Sequence, residues 1–317
     1  MHRQSLLLTA PRQLEWVSED LPPPQPHEVL IQTTAGAISM GSELPLYCGT
    51  ARSTEPIRYP RITGYESAGI IVACGSAVQH LHVGDRVIAF YGHRTYATIP
   101  EAKAIVVPND VPDALALLSI LTCDVSKGIR KVAPQPNEPT LITGAGTIGL
   151  LTIFMLKALG VQTIDVLEPR AEGRRMALQL GASIAMSPEK ITTGSERYSA
   201  AFECSSRNDA FELMQANMKR EGRICILADG NVEPLTLTPA FHEKELMIVG
   251  SSDGWDYREH AKWFFNIALE HASDLENLFD YHTSADDLLA TFELLSTGAI
   301  VPIKVLVRYN MDQFRDI

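Results

Sequence analysis

The chain has 317 residues, 45% apolar and 21% charged, which is enough for two domains and a large buried core. Its formal net charge is -11 and no cluster of Lys and Arg stands out, so the composition excludes a protein that grips a phosphate backbone. No apolar run approaches the ~18 residues of a membrane span, and the basic N-terminus MHRQSLLLTAPRQLEW is broken too early, at Pro11 and Arg12, for a signal peptide.

The first third reads as β-rich. Short apolar runs, EVLIQTTAGAI, AGIIVACG, DRVIAF and AKAIVVP, are separated by Gly, Pro and Asp turns, which predicts a compact, partly barrel-like β module. From Pro112 the texture changes, and Ala114–Lys131 has the apolar spacing of a helix. After the break APQPNEP, strands and helices alternate. TLITGAG precedes a helix over Ile148–Leu159, TIDVLEP a helix over Glu172–Leu180, and SAAFECS a helix over Asp209–Met218; GRICILA and ELMIVGS follow. That order predicts a doubly wound parallel sheet. Helices over Tyr257–Glu270 and Ala285–Ser296 and a last strand, IKVLVRY, complete the chain. The five cysteines, Cys48, Cys74, Cys123, Cys204 and Cys225, are scattered without a C-x-x-C pair. They form neither a disulfide framework nor a zinc knuckle, and free thiols suit a cytoplasmic protein.

Gly144-Ala145-Gly146-Thr147-Ile148-Gly149 is G-x-G-x-x-G between a predicted strand and a predicted helix. Gly144 permits the tight turn, Gly146 lets a pyrophosphate approach the backbone, and Gly149 lets the helix pack on the strand. Thr147 and Ile148 open the helix, whose first N–H groups face the anion. Glu168 ends the next strand, about twenty residues on, where an acid hydrogen-bonds the adenine ribose. A carboxylate there favours NAD(H) over NADP(H), although Arg170 and Arg174 lie close enough in sequence to offset it.

A β-rich module ahead of a nucleotide-binding domain, with ITGYESAG, HVGDRV and TGAGTIGL in that order, resembles the medium-chain dehydrogenase/reductase superfamily of the zinc alcohol dehydrogenase type, over essentially the whole chain. The resemblance implies an α/β fold: a Rossmann doubly wound parallel sheet inserted in a β-rich GroES-like catalytic domain. It divides the chain into a catalytic domain (1–123), a dinucleotide-binding domain (124–251) and a C-terminal return (252–317). It also implies a homodimer, formed through the last Rossmann strand near Leu246–Ser251. In the zinc enzymes a Gly-His-Glu supplies one zinc ligand and a cysteine ahead of Gly-(Thr/Ser)-(Asp/Glu) another. Here those positions hold Tyr65 and Met40, and Cys123 falls at the third. A thioether, a phenol and one thiol make a poor zinc site, so no zinc is expected. The four-cysteine lobe is absent too, and the stretches ISMGSELPLYCGT and ITGYESAG look closest to a zinc-less subgroup typified by hydroxyethyl bacteriochlorophyllide dehydrogenase.

Hydride transfer without a metal leaves the substrate oxygen to side chains. Ser42 matches the proton-relay hydroxyl of the zinc enzymes, or is a turn serine. Tyr65 brings a phenol to the metal's position, as donor or as filler. His93, in a loop that replaces the missing lobe, has a suitable intrinsic pKa for acid–base work. Glu66 is expected to support the turn, paired with Arg86. Met40, Cys123 and Trp255 are candidate pocket residues. The implied activity is an NAD(P)(H)-dependent, zinc-independent interconversion of a secondary alcohol and a carbonyl on a small-molecule substrate. The alternatives are an NADPH-dependent quinone or enoyl reductase and a non-catalytic dinucleotide-binding protein.

Overall fold

The computed structural model describes residues 2–53, 55–228 and 233–310. In chain order the strands are β1 (His2–Ala10), β2 (Gln13–Asp20), β3 (Glu28–Ile38), β4 (Arg61–Ile62), β5 (Glu66–Cys74), β6 (Arg86–Ala89), β7 (Tyr96–Pro100) and β8 (Ile105–Val106), with helix α1 (Met40–Cys48) between β3 and β4. Then come α2 (Asp113–Val132), β9 (Thr140–Thr143), α3 (Thr147–Ala158), β10 (Ile164–Leu167), α4 (Ala171–Gln179), β11 (Ile184–Met186), β12 (Tyr198–Glu203), α5 (Asn208–Asn217), β13 (Met218–Ile226), α6 (Pro239–Glu243) and β14 (Met247–Gly250). The chain closes with α7 (Tyr257–Glu270), α8 (Ala272–Glu276), β15 (Tyr281–Ser284), α9 (Leu288–Ser296) and β16 (Val305–Arg308). Two compact units result: Met1–Ser119 with Ala261–Ile317, and Ile120–His260.

In the first unit the path β15-β16-β3-β5-β6-β8 makes one sheet, with β7 also paired to β3, and β2-β1-β4 makes a smaller one. β3 is the longest strand and pairs antiparallel with β5, β7 and β16. Its inward Val29 and Ile31 are fully buried and meet Ile71, Val87 and Ala97. A second core joins Leu6 and Leu8 of β1 to Tyr47, Leu288, Phe292, Val305 and Val307. Each such aliphatic or aromatic side chain contributes ~1.5–3 kcal/mol on leaving water. Helix α1 was hidden in the sequence because it is short and carries both Gly41 and Pro45. Ser39 sits at its N-cap, and Gly49 ends it in the left-handed conformation.

The second unit is the doubly wound sheet the sequence predicts. Its six strands run in the order β11-β10-β9-β12-β13-β14, all parallel. The central strands β9 and β10 are buried at every residue, as strands covered on both faces must be. The order reverses between β9 and β12, the point where such sheets open a crevice beyond the strand ends. The second unit keeps residues through His260, beyond the boundary expected at 251. The reason is local. Lys127 Nζ of α2 donates to Ser252 O at 2.7 Å, and Tyr257 Oη donates to Asp124 Oδ1 at 2.6 Å, which ties residues 252–257 to α2. Residues 311–317 of the C-terminal return lie outside the described residues.

Candidate active site

The turn Gly64-Tyr65-Glu66 leads into β5 with Gly64 at φ 76°, a left-handed conformation that glycine adopts freely. A Cβ on Gly64 would lie 2.7 Å from the His93 ring, so the turn also needs a residue without a side chain there. Tyr65 then projects its phenol at the start of α1. Its Oη donates to Ser39 Oγ at 2.7 Å, Ser42 Oγ donates to the same oxygen at 3.0 Å, and Ser42 Oγ lies 3.5 Å from Tyr65 Oη. All three residues are half-buried. The ring of Tyr65 lies nearly parallel to Phe90, at 6.5 Å between centroids. Burial first, and the nearby Glu66 carboxylate second, raise the phenol's pKa above its ordinary value, so Tyr65 is a neutral hydrogen-bond donor.

Two buried polar groups stand beside this cluster. Glu43 is the hub of the first. Its Oε1 accepts the Ser39 N–H at 2.7 Å and its Oε2 pairs with His93 Nε2 at 3.1 Å, while His93 Nδ1 lies 3.5 Å from Tyr309 Oη. One tautomer satisfies both ring contacts, with Nε2–H donating and Nδ1 accepting. His93 is 1% exposed. His93 lies in the loop between β6 and β7, as the sequence reads, and is buried there because backbone bonds from His93 N to Thr63 O and from Leu6 N to His93 O draw the ring under the turn. The second group is Glu66. It pairs with Lys304 Nζ at 2.8 Å, not with Arg86, which instead binds Asp113. β3 separates β5 from β16 in the sheet, and Lys304 immediately precedes β16, a proximity that sequence separation hides. Burial raises the Glu66 carboxyl pKa against the opposing pull of Lys304, and its Oε2 has no hydrogen-bond partner.

In the second unit the glycine turn follows β9. Gly144 has φ 86° and abuts the backbone of Cys204 and Ser205, and a Cβ on Gly149 would lie 1.9 Å from Gly144 O. Gly146 differs. It has an ordinary φ of -80°, and an added Cβ would meet open space. Neither strain nor protein packing requires glycine there, and the missing side chain leaves the backbone open to an approaching ligand. Thr147 and Ile148 begin α3, so the positive end of that helix's dipole lies at the turn. Glu168 follows β10 directly. Its Oε2 accepts the Ala145 N–H at 2.7 Å, and its Oε1 accepts both N–H and Nε–H of Arg170 at 2.9 Å. Burial opposes ionisation, but the bonds from Arg170 and Ala145 outweigh it and hold the carboxyl pKa below its usual value. Arg174 is committed to the carbonyls of Glu168 and Pro169. The turn, the helix start and the acid thus fit a dinucleotide.

The donor set does not fit zinc. Among the described residues no group of three or more His, Cys, Asp or Glu side chains could hold a metal ion. Met40 packs against the apolar cluster of the first unit, and Tyr65 keeps its proton. Cys123 is buried in the second unit, where an added Cβ on Gly254 would lie 2.3 Å from its Sγ; burial pushes its thiol up to about 11. Trp255 is 58% exposed, with Lys127 Nζ 6.0 Å and Arg130 Cζ 5.9 Å from its ring.

Sequence reasoning passed over Ser39, Glu43, Lys304 and Tyr309. Ser39 and Glu43 did carry a signal: a serine followed by a glutamate where a helix can start. Lys304 and Tyr309 carried none.

Two family models match: the alcohol dehydrogenase GroES-like domain over residues 25–109, and zinc-binding dehydrogenase over residues 147–266. The L-threonine 3-dehydrogenase of Thermococcus kodakarensis is 30% identical over 58% of this chain and 61% of its own length. The protein of the same name from Deinococcus deserti is 23% identical over 89% of this chain and 92% of its own. Among solved structures, a zinc-binding dehydrogenase from Sinorhizobium meliloti 1021 bound to NADP shares the fold, with a TM-score of 0.84 and 20% identity over 97% of this chain and 99% of that one.

Proposed function

Because this chain belongs to the medium-chain dehydrogenase/reductase superfamily, we propose that it is a zinc-independent, NAD(P)(H)-dependent oxidoreductase. It interconverts a secondary alcohol and a carbonyl by hydride transfer. The observation that carries this reading is the meeting of Tyr65 and Ser42 hydroxyls at the positions the superfamily gives to a zinc ligand and a relay hydroxyl. A bound nicotinamide dinucleotide would supply or accept the hydride. Gly144, Gly146, Gly149 and the start of α3 would hold its pyrophosphate, and Glu168 its adenine ribose. The chain's own task is then at the substrate oxygen. Tyr65 and Ser42 orient it and stabilise its negative charge by hydrogen bonding. Glu66 and His93 act through the turn that aims Tyr65.

Several features support the finer points. The ionised Glu168 disfavours a 2′-phosphate, and although Arg170, paired with it at 2.9 Å, offsets part of that charge, the carboxylate still supports NAD(H) over NADP(H) and counts against the NADPH-dependent quinone or enoyl reductase. β14 is an edge strand of the six-stranded sheet with Met247 exposed, which suits a homodimer paired through that edge. Free cysteines and the lack, among the described residues, of a helix long and apolar enough to cross a membrane suit a cytoplasmic enzyme.

The test combines metal content per chain by plasma mass spectrometry, NADH and NADPH binding by fluorescence, and turnover of secondary alcohols and ketones with and without a chelator. Substoichiometric metal, tighter NADH than NADPH, and chelator-insensitive turnover are expected. A stoichiometric, tightly held zinc overturns zinc independence. Turnover confined to NADPH and activated alkenes points to the reductase, and binding without turnover to a non-catalytic protein.

A further inference from the structure

Ser39 occupies the N-cap of α1 yet makes no capping bond with its side chain. A serine at that position ordinarily turns its oxygen back onto the helix N–H groups. Here Glu43 reaches back to the Ser39 N–H, and the Ser39 hydroxyl is turned toward Tyr65 and Ser42.

The hydroxyl protons can be counted. Tyr65 and Ser42 both donate to Ser39 Oγ, at 2.7 Å and 3.0 Å. Ser42 Oγ also lies 3.5 Å from Ser39 O and from Tyr65 Oη, but its shortest bond is to Ser39 Oγ; with each proton on its shortest bond, Ser39 Oγ accepts twice and its own proton is left to point out of the cluster. A hydroxyl that accepts two hydrogen bonds is a stronger donor through the third, because the bonds polarise one another. None of the hydrogen-bond partners of the three hydroxyls is a cation, so an uncharged oxygen suits the position better than a carboxylate or phosphate. The exposed Phe90 ring beside Tyr65 offers an apolar surface for the rest of such a molecule.

From this geometry we infer that Ser39 is the substrate-binding apex of the hydroxyl cluster. It donates directly to the oxygen of an uncharged aldehyde, ketone or secondary alcohol, while Tyr65 and Ser42 polarise it from behind. The inference rests on the oxidoreductase reading above and revises it at one point: the oxygen meets Ser39 first.

The test uses the full chain and 4-(dimethylamino)cinnamaldehyde, a push–pull aldehyde whose absorption band moves to the red when its carbonyl accepts a hydrogen bond. Wild type is expected to shift the band. Ser39→Ala abolishes the shift, Ser39→Thr keeps it, and Tyr65→Phe and Ser42→Ala weaken it. With substrate, Ser39→Ala lowers kcat about 10–100-fold, in the range of a lost oxyanion donor, with NADH affinity changed less than about twofold. Should Ser39→Ala misfold, Ser39→Cys, nearly isosteric with a weak donor, is expected to lose the shift alike. A wild-type band that does not move, or a shift that persists in both Ser39→Ala and Ser39→Cys, overturns the inference. NADH binding and turnover measured on the same wild-type sample report on the oxidoreductase reading separately. A band shift that depends on Ser39, without NADH binding, would sink that reading and keep this one.

Discussion

The turn after β9 is shaped by its backbone, and the turn before β5 by its side chains. The first packs its requirements into six consecutive residues and one acid that follows the next strand. Gly144 and Gly149 clear protein atoms, Gly146 clears open space, and Glu168 pins Ala145. The second uses one glycine, Gly64, for its left-handed φ and to admit the His93 ring, and gathers side chains from residues 39, 42, 43, 65, 66, 93, 304 and 309. The two turns also have glutamates with opposite proton affinities. Glu168 is held ionised by three N–H donors, whereas Glu66, buried with one orphan oxygen, has its proton affinity raised. A site that binds through N–H groups tolerates many side chains; one that acts through hydroxyls needs each held by partners from distant strands.

That contrast can be broken in order of expected effect. Lys304→Met should cost ~3–5 kcal/mol of stability in urea unfolding, since it strands a buried carboxylate, and Glu66→Leu added to it should recover most of the loss. A cost below about 1 kcal/mol would mean the buried pair does not support the turn. Next, Tyr65→Phe should lower kcat by about 10–10²-fold, because it removes a hydroxyl that polarises the Ser39 donor, and leave NADH affinity alone. An equal loss of both would erase the division between the two turns. Third, Gly146→Ala should weaken NADH binding about tenfold, ~1.4 kcal/mol, with an unchanged Tm, whereas Gly149→Ala should lower Tm as well, because its Cβ overlaps Gly144 O.

The smallest expected effect is in the pH dependence of Tm. The Glu168 pKa is depressed on folding, so its contribution is present above the unfolded pKa of ~4.3 and fades as pH falls through the folded one. The Glu66 pKa is raised, so its contribution is full below the unfolded pKa and is lost as pH rises through the folded one. Glu168→Gln should therefore flatten the acid limb of a Tm–pH curve, and Glu66→Gln should remove a decline toward higher pH. Changes in slope from wild type that have the same sign in the two variants would contradict the opposite roles.

Much of the second unit was legible because its signals are local. Apolar periodicity placed α3, α4 and α5 to within about two residues, and the glycine spacing located the turn. Its short edge strand β11 was not legible, since three residues carry little periodicity. The first unit was less readable. Its β character came through, but α1 did not, and Glu66 found Lys304 rather than Arg86.

The sequence by itself determined the parallel sheet and the glycine turn with its acid. These depend on spacing within one strand–turn–helix–strand run, where periodicity translates directly into geometry. Only the tertiary structure decided what surrounds Tyr65: Ser39 turned from its cap, Glu43 holding His93, and Lys304 neutralising Glu66 from beside the last strand. Antiparallel pairing across β3 and β16 joins those residues, and such pairing is set by the packing of whole strands rather than by any local pattern.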